Sequence, residues 1–267
     1  MLKEVTLGQF FPGNSPAHKL DPRTKLILVV LYIIGLFCAK GFLSYALMAA
    51  LLVMSVKISG VAPKALLRGM KPVLFIICFT AVLNIFYTPG DPLVQFWIFK
   101  ITKEGILTAF FMVLRITMLI TGTFLLTYTT SPIALTDGLE SLLGPLKKIK
   151  VPVHELSMMM SIALRFIPTL IEETDKIMSA QKARGADFES GSLMDKAKAL
   201  VPILVPLFVS AFRRADELAV AMECRCYHGG EGRTKLHVLR REKRDYVATA
   251  LFGGVLAAVI VLGRFGL

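Results

Sequence analysis

"LILVVLYIIGLFCAKGFLSYALMAALLVMSV", residues 26–56, contains one charged residue, Lys40. Lys40-Gly41 divides it into two apolar runs, 26–39 and 42–56. Fourteen residues of helix reach only about 21 Å, less than the hydrocarbon core of a bilayer. Each helix must therefore recruit flanking residues, with Lys25 and Lys40 snorkelling toward headgroups. The stretch reads as a tight membrane hairpin, and the apolar residues fall in blocks rather than at amphipathic spacing.

The rest of the chain repeats the pattern. A third span is expected over roughly 72–88, a fourth over about 105–130, and a fifth in "YVATALFGGVLAAVIVLG", 246–263. The 267 residues are 55% hydrophobic, with mean hydropathy +0.64, too apolar for a soluble domain. The expected fold is an all-α polytopic membrane protein. Phe86, Tyr87, Phe96, Trp97 and Phe99 suit an interfacial belt between spans three and four. The polar, proline-containing first 25 residues lack the apolar run of a cleavable signal. Cys38, Cys78, Cys224 and Cys226 do not form a disulfide framework.

Charge orients the spans. Of 31 Lys and Arg residues, 26 lie in 1–25, 57–71 and 131–244. The other side receives Lys40, Lys100, Lys103 and Arg264, while Arg115 falls within span four. The positive-inside rule then predicts a cytosolic N-terminus, five crossings and an outward C-terminus. The net charge of +12 is a topological signal, and nucleic-acid binding is not expected.

Residues 131–244 are too many for a connection. The expected organisation is 1–130 for the N-terminal segment and four spans, 131–244 for a cytosolic module of long helices, and 245–267 for the last span. Within the module, Ser131-Pro132 opens a helix that stops near Gly144-Pro145. A second helix is expected over about 150–185, kinked at Pro168, and a third over about 192–227, disturbed by Pro202 and Pro206. The latter two share a weak repeat. Asp175 lies nine residues before Arg184, and Asp216 nine before Arg225. Ala180 and Ala221 each stand four before their arginine, and charges crowd both aspartates in "EETDK" and "RRADE". The arginines sit between small residues, in Ala183-Arg184-Gly185 and Cys224-Arg225-Cys226. An arginine at a helix C-terminus complements the macrodipole. Small neighbours admit a partner's backbone, and the guanidinium fork can pair doubly with a carboxylate. The plainer alternative is a pair of dipole-complementing surface charges.

Catalytic patterns are missing. No G-x-x-x-x-G-K-[ST] exists, and "GGEGRTK" (229–235) reads as a solvated loop. His154-Glu155 has no second histidine four residues after the first, and His18, His228 and His237 lack a constellation. Cys224-x-Cys226 would need outside ligands to hold a metal. No metal site and no cofactor on this chain are expected. Inside the membrane Asn84 and Arg115 stand out, as a substrate-ion pathway or as internal structural contacts. The span cores carry no acidic residue, which argues against a proton-coupled secondary transporter.

Four stretches together resemble the transmembrane T component of energy-coupling factor transporters: "GQFFPGNSPAHKLDPRTK" (8–25), "SPIALTDGLESLLGPLKKIKVPVHELSMMMSIALRFIPTLIEE" (131–173), "AQKARGAD" (180–187) and "PLFVSAFRRADELAVAMECRCYHGGEGRT" (206–234). The similarity runs nearly end to end. It implies a prokaryotic plasma-membrane complex with two ATP-binding-cassette ATPases, which carry the ATP and Mg, and a small membrane subunit that captures a vitamin or metal ion. It implies that two coupling helices end in arginine motifs that dock on the ATPases, here Ala183-Arg184-Gly185 and Cys224-Arg225-Cys226. Cysteine stands where alanine is often found in the second motif; both are small. The chain itself would be a non-catalytic coupling subunit. Met158, Met159, Met160 and Ala163 are candidate contacts to the substrate-binding subunit, since methionines pack adaptably against several partners in turn. The competing readings are a stand-alone secondary transporter, for which no repeat is seen in the spans, and a static membrane scaffold.

Overall fold

The computed structural model describes residues 10–89, 92–96, 99–188, 192–230 and 238–264. Eight α-helices are described: α1 (Pro22–Cys38), α2 (Phe42–Ser59), α3 (Pro63–Tyr87), α4 (Lys103–Thr129), α5 (Pro132–Leu143), α6 (Val153–Ala183), α7 (Leu193–Glu223) and α8 (Lys243–Arg264). The chain divides into two units, one of residues 8–139 and 239–267, the other chiefly of 140–238.

In the first unit α2, α3, α4 and α8 are long and apolar enough to cross a membrane. The first expected span, α1, has 17 residues, about 25 Å of helix, and falls short of that length. Asp21 caps α1 by accepting the Arg23 amide at 2.8 Å, with Pro22 at the first position, where a missing N–H costs nothing. The chain leaves α2 through Gly60 at φ 68, a left-handed turn that glycine takes without a Cβ clash. The hairpin of α1 and α2 is thus present. α3 begins at Pro63 rather than near 72, because Lys64, Arg68 and Lys71 hide its first two turns from an apolarity reading. Among the described residues one hairpin is not helical: β1 (Pro92–Phe96) and β2 (Phe99–Thr102) pair antiparallel. Of the expected aromatic belt, Tyr87 is exposed, whereas Trp97 lies outside the described residues, as do the side chains of Phe96 and Phe99.

The core of this unit joins α1, α2, α4 and α8. Tyr32, Leu36, Tyr45, Met48, Met118 and Val259 are buried in one cluster. Tyr32 reaches α4 because Gly122 has no side chain; a Cβ there would stand 2.7 Å from the tyrosine ring. Outward faces remain apolar, with Phe37, Phe42, Phe75 and Phe79 exposed, as a lipid-facing surface requires.

In the second unit α6 and α7 each run 31 residues. Pro168, Pro202 and Pro206 all lie inside continuous helices. Pro206 lacks the N–H that would bond the carbonyl four residues earlier, and that carbonyl, of Pro202, instead accepts from Gln181 Nε2 at 3.4 Å. Ser192 and Asp195 form a reciprocal capping box at the start of α7, and these bonds from Ser192 hold the Asp195 carboxyl below its usual range. α5 stops at Leu143 and gives way to a 3-10 turn, Gly144–Ile149, as Gly144-Pro145 predicts.

Candidate docking ends and polar centres

α6 and α7 end alike. After α6, Gly185 lies at φ +89; its amide bonds the Lys182 carbonyl at 3.0 Å and the Ala186 amide bonds Gln181 at 3.0 Å. After α7, Cys226 lies at φ 53; its amide bonds Glu223 at 2.8 Å and the Tyr227 amide bonds Met222 at 3.1 Å. Both are Schellman stops, in which a left-handed residue reverses the chain and two orphan carbonyls are satisfied. Each arginine immediately precedes the left-handed residue. Ala183, Arg184, Gly185, Cys224, Arg225 and Cys226 are all exposed. The faint repeat in the sequence is therefore a repeat of geometry.

The charge clusters upstream of the two arginines meet each other. Glu173 of "EETDK" accepts from Arg214 Nη2 at 3.0 Å and from the Ser210 hydroxyl, and Arg214 also stands 5.5 Å from the centre of the Phe166 ring. The contacts pair Phe166 with Arg214, Glu173 with Ser210, and Gln181 with Pro202, so residue numbers rise on α6 as they fall on α7. The helices are antiparallel where they meet. Arg184 follows the last α6 contact, Gln181, by one turn. Arg225 lies eleven residues past Arg214, about 16 Å of helix, in the opposite sense. Met159, Met160 and Ala163 are exposed and Met158 is half-buried, and α7 exposes Leu200, Leu204, Phe208 and Phe212 at four-residue spacing along one stripe.

The intramembrane polar residues are not brought together. Asn84 Nδ2 donates within its own helix to the Thr80 carbonyl at 2.9 Å, and to Met112 Sδ at 2.9 Å. Arg115 donates through Nε to the Tyr45 hydroxyl at 2.8 Å and through Nη2 to the Ala39 carbonyl at 3.3 Å, and lies 5.7 Å from the ring centres of Phe37 and Tyr45. Ala39 caps the C-terminus of α1, where the helix dipole favours a cation. These are internal structural contacts.

A second polar centre was not anticipated. Lys25 does not snorkel outward; it is 7% exposed. Its Nζ donates to the Thr129 carbonyl at 2.8 Å, the His18 carbonyl at 3.2 Å and the Thr130 hydroxyl at 3.3 Å. Asp245, 2% exposed, accepts the Asp21 amide at 2.8 Å and the Glu242 amide at 2.7 Å. Three helix ends, the starts of α1 and α8 and the end of α4, are joined there. The signal in the sequence was Asp21-Pro22-Arg23-Thr24-Lys25, an N-cap with a lysine one turn in; Asp245, which accepts the Asp21 amide, is 224 residues away.

The apolar bundle, its outward-facing aromatic residues and its hydrogen-bonded Lys25 and Arg115 define a polytopic membrane protein. A family model described as cobalt transport protein, CbiQ, matches residues 13–236. The chain is 53% identical over 266 residues to the energy-coupling factor transporter transmembrane protein EcfT of Clostridium kluyveri, covering 99% of this chain and 98% of that one. It is 52% identical to the EcfT of Thermosediminibacter oceani, with 99% of both covered, and 50% identical to that of Bacillus subtilis, with 98% and 97% covered. The chain belongs to this family, as a transmembrane T component of energy-coupling factor transporters, and is embedded in the membrane.

Proposed function

We propose that the chain is the non-catalytic coupling subunit of an ATP-driven importer for a vitamin or metal ion. Arg184 and Arg225 dock on two ATP-binding-cassette ATPases, which hold the ATP and Mg. The N-terminus and the long helices face the cytosol of a prokaryotic cell, and the membrane is the plasma membrane. The observation that carries this reading is the identical Schellman stop behind each exposed arginine. A stop of this kind fixes the backbone that presents the guanidinium, and two matching ends suit two similar sockets. The antiparallel meeting of α6 and α7 directs the ends to opposite extremities of the pair, which supports two separate motors rather than one. Closure of the ATPases would turn the helices as levers about the Glu173–Arg214 contact. Met159, Met160 and Ala163 would pass that motion to a small substrate-binding membrane subunit, one of several received in turn.

Arg184→Glu with Arg225→Glu tests this. Removing one partner of a desolvated charge pair typically costs ~2–5 kcal/mol. Each single change should weaken co-purification of the ATPases with the tagged chain, and the double change should abolish it, with the amount of chain in the membrane unaltered. ATPases that still co-purify with the double variant would overturn the docking role.

A further inference from the structure

A groove opens in the bundle unit between α1, α2, α4 and α8. Its volume is about 410 Å³, within the range that ligand pockets occupy. Leu28, Tyr32, Leu52, Ile58, Leu125 and Leu251 are part of its apolar wall. Lys25, Thr129 and Arg244 line one end, where α1 and α8 begin and α4 finishes. The groove is thus an apolar slot with a cationic mouth.

The two cations at the mouth differ in what they can still bind. Lys25 has directed its ammonium at His18, Thr129 and Thr130, and an ammonium has only three donors. Arg244 directs Nε and Nη2 at a single oxygen of Glu242, two of its five donors. Its side chain is 41% exposed and that of Glu242 58% exposed, and an exposed pair of this kind is weak. Arg244 is therefore the group able to exchange a carboxylate for another oxyanion. Arg23 stands on the first turn of α1, and Arg240, Arg241 and Lys243 lead into α8, so this end of the bundle carries a positive field.

We propose that the groove holds an acyl chain of one anionic glycerophospholipid from the surrounding bilayer, with its phosphate paired to Arg244. Lipid tails are as apolar as leucine, so the wall alone does not choose among lipids; the headgroup does. The guanidinium fork matches two phosphate oxygens. A zwitterionic lipid offers the same phosphate but brings an ammonium group into the field of Arg23, Arg240, Arg241 and Lys243. Basic pockets between membrane helices select anionic headgroups on this principle. The site lies wholly within the bundle unit and does not depend on whether Arg184 and Arg225 dock ATPases.

Native mass spectrometry of the full-length chain released from nanodiscs of equimolar phosphatidylglycerol and phosphatidylcholine tests the site. One phosphatidylglycerol should be retained per chain, in excess over phosphatidylcholine. Arg244→Gln should lower that excess about five-fold, the worth of one basic residue at ~1 kcal/mol. Glu242→Gln, which releases Arg244 from its carboxylate, should raise it, an outcome that a folding defect cannot produce. Leu251→Trp should fill the slot and remove the retained lipid of either kind, with Leu251→Phe as the milder variant should the tryptophan misfold. Equal retention of the two lipids by the unaltered chain, an excess indifferent to both Arg244→Gln and Glu242→Gln, or a lipid-free dimer closing the slot would each overturn the proposal.

Discussion

Cys226 occupies the position that Gly185 holds in the other helix stop, yet it carries a side chain at φ 53. A left-handed conformation costs an L-residue ~1–2 kcal/mol, and replacing it with glycine returns about 0.5–1 kcal/mol of that in lost chain entropy. Cys226→Gly should therefore tighten the end of α7 by on the order of 0.5–1 kcal/mol. Hydrogen exchange at the Tyr227 amide, which bonds Met222, should slow by roughly two- to five-fold. Gly185→Ala should have the opposite effect at the Ala186 amide. No atom lies within 4 Å of the Cβ position at Gly185, so the penalty there is purely conformational. Sequence spacing revealed the two arginines and their small neighbours, because both are local. It did not reveal which small residue turns left-handed, since Ala183, Gly185, Cys224 and Cys226 were equally small on paper.

Among the elements, α6 and α7 show where sequence reading succeeds and where it stops. Their existence follows from length and periodicity, and the expected ends, near 185 and near 227, lie within a few residues of Ala183 and Glu223. The sequence predicts a kink at Pro168 and disturbance at Pro202 and Pro206; all three lie inside continuous helices, and Gln181 supplies a donor for a carbonyl that Pro206 cannot reach. Nor did the sequence show that the charges of "EETDK" face those of "RRADE". As a repeat they pointed at two external partners; in the structure Glu173 and Arg214 bond each other. Glu173→Ala would leave Arg214 and Ser210 without this acceptor while both are half-buried, a loss of about 1–3 kcal/mol. Exchange across 166–181 and 202–214 should rise roughly five-fold or more, with the amides of α1, α2, α4 and α8 unaffected. Rates that rise equally in the bundle would show that the two helices do not rely on this contact.

For the whole molecule, the apolar spans were legible because hydropathy is additive along the chain, whereas the contacts that fix the bundle join residues far apart in sequence. Lys25 is the clearest case. A lysine beside an apolar run ordinarily extends toward water, but here the carbonyl end of α4 turns it inward. Lys25→Met keeps most of the side-chain volume and removes the charge. The buried Thr129 carbonyl and Thr130 hydroxyl would lose this donor, at about 1–3 kcal/mol for a buried group left unsatisfied, so the thermal midpoint of the chain in detergent should fall below that of the unaltered protein. Asp245→Asn retains an acceptor for the Asp21 and Glu242 amides and should cost less. Equal midpoints for Lys25→Met and the unaltered chain would mean that the cluster contributes nothing to stability.

The same cluster at one end of α1, and the Arg115–Ala39 bond at the other, fasten a helix of only about 25 Å at both extremities. From Lys25 to Ala39, and from Thr129 back to Arg115, each segment advances fourteen residues, so the fastening matches turn for turn. α4 continues twelve residues beyond Arg115 to Lys103, about 18 Å past the point where α1 has finished. On that side the lipid around α1 must thin, or solvent must descend beside α4, to meet the exposed Lys40. An arginine that looks central in its own helix thus stands level with the end of the shorter helix beside it.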